Sequence, residues 1–207
     1  MPNVAIVTDS VADLPPQVAE EFGITVVPLV VRFGTDLYRD GLDLSPDQFY
    51  DRLRSSKALP ATSVPPPVAF ADAYDKLAER TNEIVVIGLT SKLSATYQVA
   101  LQAIGLMKKR CRVEVLDSQW AIMAEGFIAI AAAKAAQAGA SLDEVLDVAR
   151  HTVHRVDMCA AFDTLEYLER GGRIGKVQAF LGSLLKINPD IGMKDGERDL
   201  LCQDERR

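Results

Sequence analysis

The sequence predicts an α/β fold, with a mainly parallel sheet in an N-terminal domain and a smaller, incomplete α+β domain after it. Three observations carry this. Short apolar runs at 4–7, 84–87 and 112–116 are each followed by a longer stretch with apolar residues at helical spacing. Strand and helix patterns go on alternating from about residue 4 to residue 155. From Val156 the elements become short and are broken by Gly and Pro. The chain therefore divides into an α/β domain over 1–155 and a partial C-terminal domain over 156–207.

Taken in order, Val4 to Val7 is a buried strand ending in Thr8-Asp9-Ser10. Asp13 caps a helix that starts at Pro15-Pro16 and stops at Gly23, with Pro entering and Gly leaving. Ile24 to Val31 reads as one strand, placed at a sheet edge or bulged because Pro28 lacks a ladder donor. Tyr38 to Asp43 is a polar turn, and Ser45 with Gln48 forms a capping box for a helix to about Ser56. The proline-dense segment 59–67 is a stiff loop carrying Thr62 and Ser63, and a helix follows from Val68 to Arg80. Ile84 to Ile87 is a strand whose end carries Thr90, Ser91, Ser94 and Thr96, before a helix containing Tyr97, Ala100, Leu101 and Ile104. Arg112 to Leu116 is a strand ending in Asp117-Ser118, and Trp120 to Ala138 is an Ala-rich helix with Gly126 inside it, whose small residues either let it lie close to its sheet or leave room for a ligand, close packing being the commoner reason. Ser141 and Glu144 make a second capping box, for a helix to about Arg155. Val156 to Phe162 alternates as a strand, and Asp163 caps a short helix over 164–170 ended by Gly171-Gly172. A further helix spans Val177 to Leu185 and is broken at Asn188-Pro189; residues 195–207 show no folding pattern.

Composition narrows the function. A net charge of −6 and the lack of a dense basic run exclude nucleic acid as the main partner. Cys111, Cys159 and Cys202 lie far apart without a CxxC pair, which argues against a disulfide framework and a zinc site. The start resembles no signal peptide, and the longest apolar stretch, 121–133, is interrupted by Glu125 and too short for stable membrane insertion. These features place the protein in the cytoplasm. His151 and His154 are three apart on a helix, with no neighbouring ligand set, and read as solvated.

The chemistry sits at the strand ends. In an open parallel sheet, ligands bind at the carboxyl ends of the strands. Asp9, Ser10, Ser91, Ser94, Asp117 and Ser118 all fall there, and Thr62 and Ser63 join them from the stiff loop. One such cluster is equally a helix cap or an anion site at a helix N-terminus. Several clusters on one face predict a hydroxyl-lined floor that hydrogen-bonds one anionic head group. Dinucleotide, P-loop and serine-elbow motifs are all missing from the sequence. Arg173 follows Gly-Gly and is either a solvated residue past a helix cap or a fork for phosphate or carboxylate.

These residues bear a specific resemblance. Val-Thr-Asp-Ser at 7–10, Val-Pro-Leu-Val at 27–30, Tyr-Arg-Asp-Gly at 38–41 and Ala-Thr-Ser at 61–63 come first. Leu-Thr-Ser-Lys-Leu-Ser-Ala-Thr-Tyr at 89–97, Leu-Asp-Ser at 116–118 and Thr-Leu-Glu-Tyr-Leu-Glu-Arg-Gly-Gly-Arg-Ile-Gly at 164–175 complete the set. In this order the chain resembles the DegV family of bacterial fatty-acid-binding proteins, which includes the B subunit of fatty acid kinase. The resemblance implies an acyl chain buried between two domains and a carboxylate held by Thr62 and Ser94. It implies that Arg173 serves an ATP-dependent kinase partner, which makes an acyl phosphate on the carried lipid. The bound fatty acid is then a ligand, with no cofactor and no catalysis by this chain. Ala95 stands where the family usually has Gly, Val64–Pro67 replaces a more polar stretch, and family members continue well beyond Asp195-Gly196. The second domain is therefore expected to lack strands. Two other readings remain open: metal-assisted phosphoryl or acyl hydrolysis at Asp9 and Asp117, and a folded remnant that holds no ligand.

Overall fold

The computed structural model describes residues 3–56, 58–180 and 190–200. Four strands form a parallel sheet: β1 (Val4–Asp9), β2 (Ile24–Val27), β6 (Glu83–Gly88) and β7 (Arg112–Asp117), in the order β2-β1-β6-β7. β1 and β6 are almost wholly buried, as a continuous apolar run requires when helices cover both faces. On one face, α3 (Pro67–Leu77) and α4 (Thr96–Ile104) set Phe70, Tyr74 and Ala103 against Val7 and Val86. On the other, α5 (Ile122–Gln137) and α6 (Leu142–Val153) set Ile128, Ala132 and Val145 against Ile6, Val85 and Ile87. The expected α/β class and parallel sheet are present.

α1 (Pro16–Phe22) completes the second layer, but its N-cap is Pro15, without a side-chain cap bond. Asp13 instead closes the 3-10 turn Ser10–Ala12 at φ 51°, so its expected capping role is not found. The expected single strand from Ile24 to Val31 is also corrected. Pro28 separates β2, an edge strand of the parallel sheet, from β3 (Val30–Phe33), which enters a different sheet. That antiparallel sheet has the order β4-β3-β5, with β4 at Asp36–Arg39 and β5 at Ala61–Ser63. Tyr38 and Arg39 thus lie in a strand rather than a turn. Thr62, expected in a loop, pairs with Val31. The first capping box opens α2 (Pro46–Ser55) and the second opens α6, both with reciprocal bonds. His151 and His154 are exposed.

The C-terminal part forms a third, antiparallel sheet, β10-β9-β8, with β8 at Ala160–Ala161, β9 at Asp190–Lys194 and β10 at Glu197–Leu200. Val156, Met158, Ala160 and Phe162 are half-buried in alternation, yet only two residues of that segment pair. α7 (Glu166–Arg170) starts after Thr164, whose hydroxyl accepts from Glu166 N; Asp163 is not the cap. Residues 195–200, read as patternless, make a hairpin: Asp195 and Gly196 both take positive φ, as a tight hairpin turn requires. The 3-10 turn Gly175–Phe180 occupies the start of the expected 177–185 helix. The rest of that helix, its break at Asn188-Pro189, and the tail 201–207 lie outside the described residues.

Candidate functional site

The chain adds β2 on one side of β1 and later β6 on the other, so the strand order, though not the strand direction, switches between β1 and β6. Ligands in open α/β sheets bind beyond such a point. A cleft of about 450 Å³ lies here, within the range of about 300–1,000 Å³ usual for small-molecule sites. Val11, Leu29, Leu89 and Ala121 line it from the ends of the parallel strands. Leu93 and Ser94 line it from just before α4, and Thr62 from β5. α7 and its following turn contribute Leu168, Arg170 and Arg173, and β10 contributes Arg198.

Of the residues singled out in the sequence, Thr62, Ser94 and Arg173 come together on this one cleft. Ser63 alternates with Thr62 along β5 and so points to the other face of its sheet. Of the remaining residues, Asp9, Ser10, Asp117 and Ser118 are engaged by backbone, Ser91 donates its own N–H to Asp117, and none of the five is among the residues lining the cleft. Ser10 Oγ accepts from Leu29 N at 3.1 Å, and Asp117 accepts from Ser91 N and Gln119 N. Ser118 Oγ accepts from Trp120 N and donates to Trp120 O. Asp9 accepts from Val11 N at 3.0 Å and from Leu89 N at 3.1 Å. The strand-end clusters therefore do not form one floor. Buried N–H groups where strands turn need acceptors, and these short side chains are the nearest.

Ser94 is the exception because of its neighbour. Its Oγ lies 2.8 Å from the buried Thr96 Oγ1 and accepts from Thr96 N at 3.2 Å. With Thr96 as donor, both Ser94 lone pairs are engaged and its own hydrogen can donate into the cleft. Ala95, the N-cap of α4, has φ −79°, which any L-residue adopts, so the methyl in place of Gly adds no backbone strain.

Two further arginines, Arg170 and Arg198, line the cleft without a local sequence signal for it. Arg170 precedes the Gly-Gly pair by one position and is tied to Glu166 at 2.9 Å. Arg198 sits in a hairpin, and the Asp-Gly turn signals the hairpin alone. Arg173 donates to Gly171 O at 2.7 Å, and Arg198 donates to Arg173 O. Burial, with the neighbouring Arg173 charge, pushes the Arg198 guanidinium below its usual range. The cationic side of the cleft thus favours an anion, although the chain as a whole carries a net negative charge.

Thr90 ties the C-terminal hairpin to the end of β6. Its fully buried hydroxyl donates to Gly196 O at 2.9 Å, and a side chain on Gly196 would meet Thr90 Oγ1 at 2.7 Å. Only Gly permits this approach of the β9–β10 hairpin to the parallel sheet. Among the described residues there is no cluster of His, Cys, Asp or Glu able to hold a metal ion. No described helix is long and apolar enough to cross a membrane.

The fold is thus a parallel α/β layer with a cleft at its switch point, two hydroxyls on the wall and arginines along one side. The chain belongs to the DegV family, whose sequence model matches residues 3–203. It is 37% identical over 197 residues to a DegV domain-containing protein of Caldanaerobacter subterraneus, covering 95% of this chain and 70% of the relative. Solved relatives share the fold. The chain is similar to a DegV family protein from Thermus thermophilus described by its fatty acid binding, with a TM-score of 0.87 and 34% identity, covering 96% of this chain and 70% of that one. It is similar also to DegV of Bacillus subtilis, described as a fatty acid binding protein, with a TM-score of 0.84 and 30% identity, covering 96% and 70%. A stearic-acid-binding protein from Eubacterium ventriosum matches with a TM-score of 0.84 and 29% identity, covering 96% and 69%.

Proposed function

We propose that this chain holds a long-chain fatty acid in the switch-point cleft and presents its carboxylate to an ATP-dependent fatty acid kinase subunit in the bacterial cytoplasm. The observation that carries the reading is the convergence of Thr62, Ser94 and Arg173 on one cleft, with Val11, Leu29, Leu89 and Leu93 as an apolar wall and Arg170 and Arg198 on the cationic side. Three segments far apart in sequence have no local reason to bring those groups together. The names of the solved relatives support the ligand class.

In this reading, Thr62 and Ser94 donate to the carboxylate and the alkyl chain lies along Val11, Leu29, Leu89 and Leu93. Burial of the chain contributes about 0.8 kcal/mol per CH₂, so the tail supplies affinity and the hydroxyls supply orientation. Residues 1–155 form the body of the site, and 156–207 close over the acyl chain. Asp9, Ser10, Ser91, Asp117 and Ser118 shape the wall through the backbone they hold. Arg173, exposed beside the head group, serves the kinase, which moves the γ-phosphoryl group of ATP onto a carboxylate oxygen. The chain itself carries lipid and catalyses nothing.

Native mass spectrometry of gently purified, folded protein should show a fatty-acid mass; its repeated absence would sink the proposal. Calorimetric titration with a fatty acid should saturate, which a ligand-free remnant would not do. Ser94→Ala removes one hydrogen bond to a charged group, worth about 1.5–3 kcal/mol, and should speed ligand loss by about ten- to hundredfold. Arg173→Ala should leave retention intact and lower phosphorylation by the kinase. A cleft emptied by Arg173→Ala would show that the head group rests on the arginine instead.

A further inference from the structure

Asp9 joins two separate pieces of the cleft wall. One carboxylate oxygen accepts Val11 N and the other accepts Leu89 N, and both of those residues line the cleft. Asp9 is 1% exposed, so water does not replace it as acceptor. Beside it on α5 lies Glu125, fully buried, whose Oε1 accepts from Thr8 Oγ1 at 3.1 Å. Burial, the Asp9 charge and the hydrogen bond between the two carboxyl groups push Glu125 well above its usual range, so it can donate its proton toward Asp9. Glu125 therefore keeps its proton and Asp9 keeps the charge at neutral pH. Asp13, which closes the turn after β1, adds a further negative charge facing the pair, and Asp40 stands near Asp13. α5 reaches the cleft at its first residue, Ile122, held at φ 51°, an unfavourable angle for a β-branched side chain.

We propose that Asp9 is a positioning residue for the ligand cleft, and that uptake of a second proton by the Asp9–Glu125 pair in mild acid loosens the wall at Val11 and Leu89 and releases the ligand. This rests on the reading of the cleft as a fatty-acid site. A protonated carboxyl group keeps one good acceptor oxygen, so one of the two N–H groups is left unpaired where water cannot reach it. Burial raises Asp9 to about 6, against the opposing pull of the two N–H bonds and of Glu125. A raised carboxyl binds its proton more tightly in the folded than in the unfolded chain, so the change is local: Asp9 does not drive global unfolding in acid.

The full chain loaded with oleic acid, with transfer to excess phosphatidylcholine vesicles followed against pH, tests this. Wild-type protein should release oleic acid about tenfold faster at about pH 5 than at about pH 7.5, with a midpoint near 6 and unchanged circular dichroism. Asp9→Asn, whose amide can accept from only one of the two N–H groups, should release at the fast rate at every pH. A profile of Asp9→Asn that superimposes on wild type overturns the proposal. Glu125→Leu removes the proton donor beside Asp9 and should move the midpoint upward; an unmoved midpoint overturns it, whether or not Asp9→Asn folds. If wild-type protein takes up no oleic acid, the carrier reading fails separately. Amide exchange of Val11 and Leu89 in the ligand-free protein, corrected for intrinsic rate, then decides the positioning role: protection lost below about pH 6 supports it, and protection constant with pH overturns it.

Discussion

Glu125→Gln should raise the melting temperature at about pH 8 and leave it nearly unchanged at about pH 4. Glu125 is fully buried, and burial with the neighbouring Asp9 raises it well above the ordinary 4.5. The sign follows from the protons bound. Below 4.5 the carboxyl is protonated in both folded and unfolded chains and stability does not depend on it. Above 4.5 the unfolded chain ionises while the folded one stays protonated, so stability falls as pH rises, by about 1.4 kcal/mol per pH unit, until folded Glu125 itself ionises. Gln has nearly the same shape, keeps an oxygen for the Thr8 hydroxyl and has no ionisation to lose. Each kcal/mol recovered is worth about 2–4 °C in a chain of this size. Thermal scans of both proteins at several pH values check this, and parallel curves would show that Glu125 is ionised in the fold.

Gly126→Ala should destabilise the protein by about 2 kcal/mol, although Ala is the better helix former. A methyl on Gly126 would meet Ala12 O at 2.6 Å, Leu14 Cδ2 at 3.1 Å and Met123 Sδ at 3.4 Å. The first of these is backbone and cannot rotate away, so α5 and the 3-10 turn Ser10–Ala12 must separate. Val11 lies in that turn and lines the cleft, so the same substitution should also weaken ligand retention. Thermal denaturation should show a fall of about 4–8 °C; a rise would mean that helix propensity outweighs the contact.

The layers of the fold were legible in the sequence where they rest on local signals. Val4–Val7 and Ile84–Ile87 are apolar on both faces, which only a central parallel strand explains, and both capping boxes sit where Ser45 and Ser141 announced them. The Ala-rich stretch of α5 does pack closely, with Ala129, Ala132 and Ala133 buried and Gly126 against the Ala12 carbonyl. The pairing of β5 with β3 was not legible, because it joins residues about 30 positions apart across a helix, and the local β3–β4 hairpin was hidden in the polar composition of Tyr38 to Asp43. Pro28 announced an edge, and the structure turns that edge into a change of sheet. The Asp195-Gly196 turn sits in a charged stretch without apolar alternation, so its strands are evident only once paired.

At the cleft the division is sharper. The sequence by itself determined which residues stand at strand ends and that their chemistry is hydroxyl and carboxylate, because strand length and helix onset follow from local patterning. Only the tertiary structure decided which of those side chains line the cleft. Backbone N–H groups compete for the same short polar groups, and proximity in three dimensions settles the competition. It assigns Asp9, Ser10, Asp117 and Ser118 to the backbone, and brings Ser94 and Thr62 to the cleft beside an arginine more than 75 residues away in sequence.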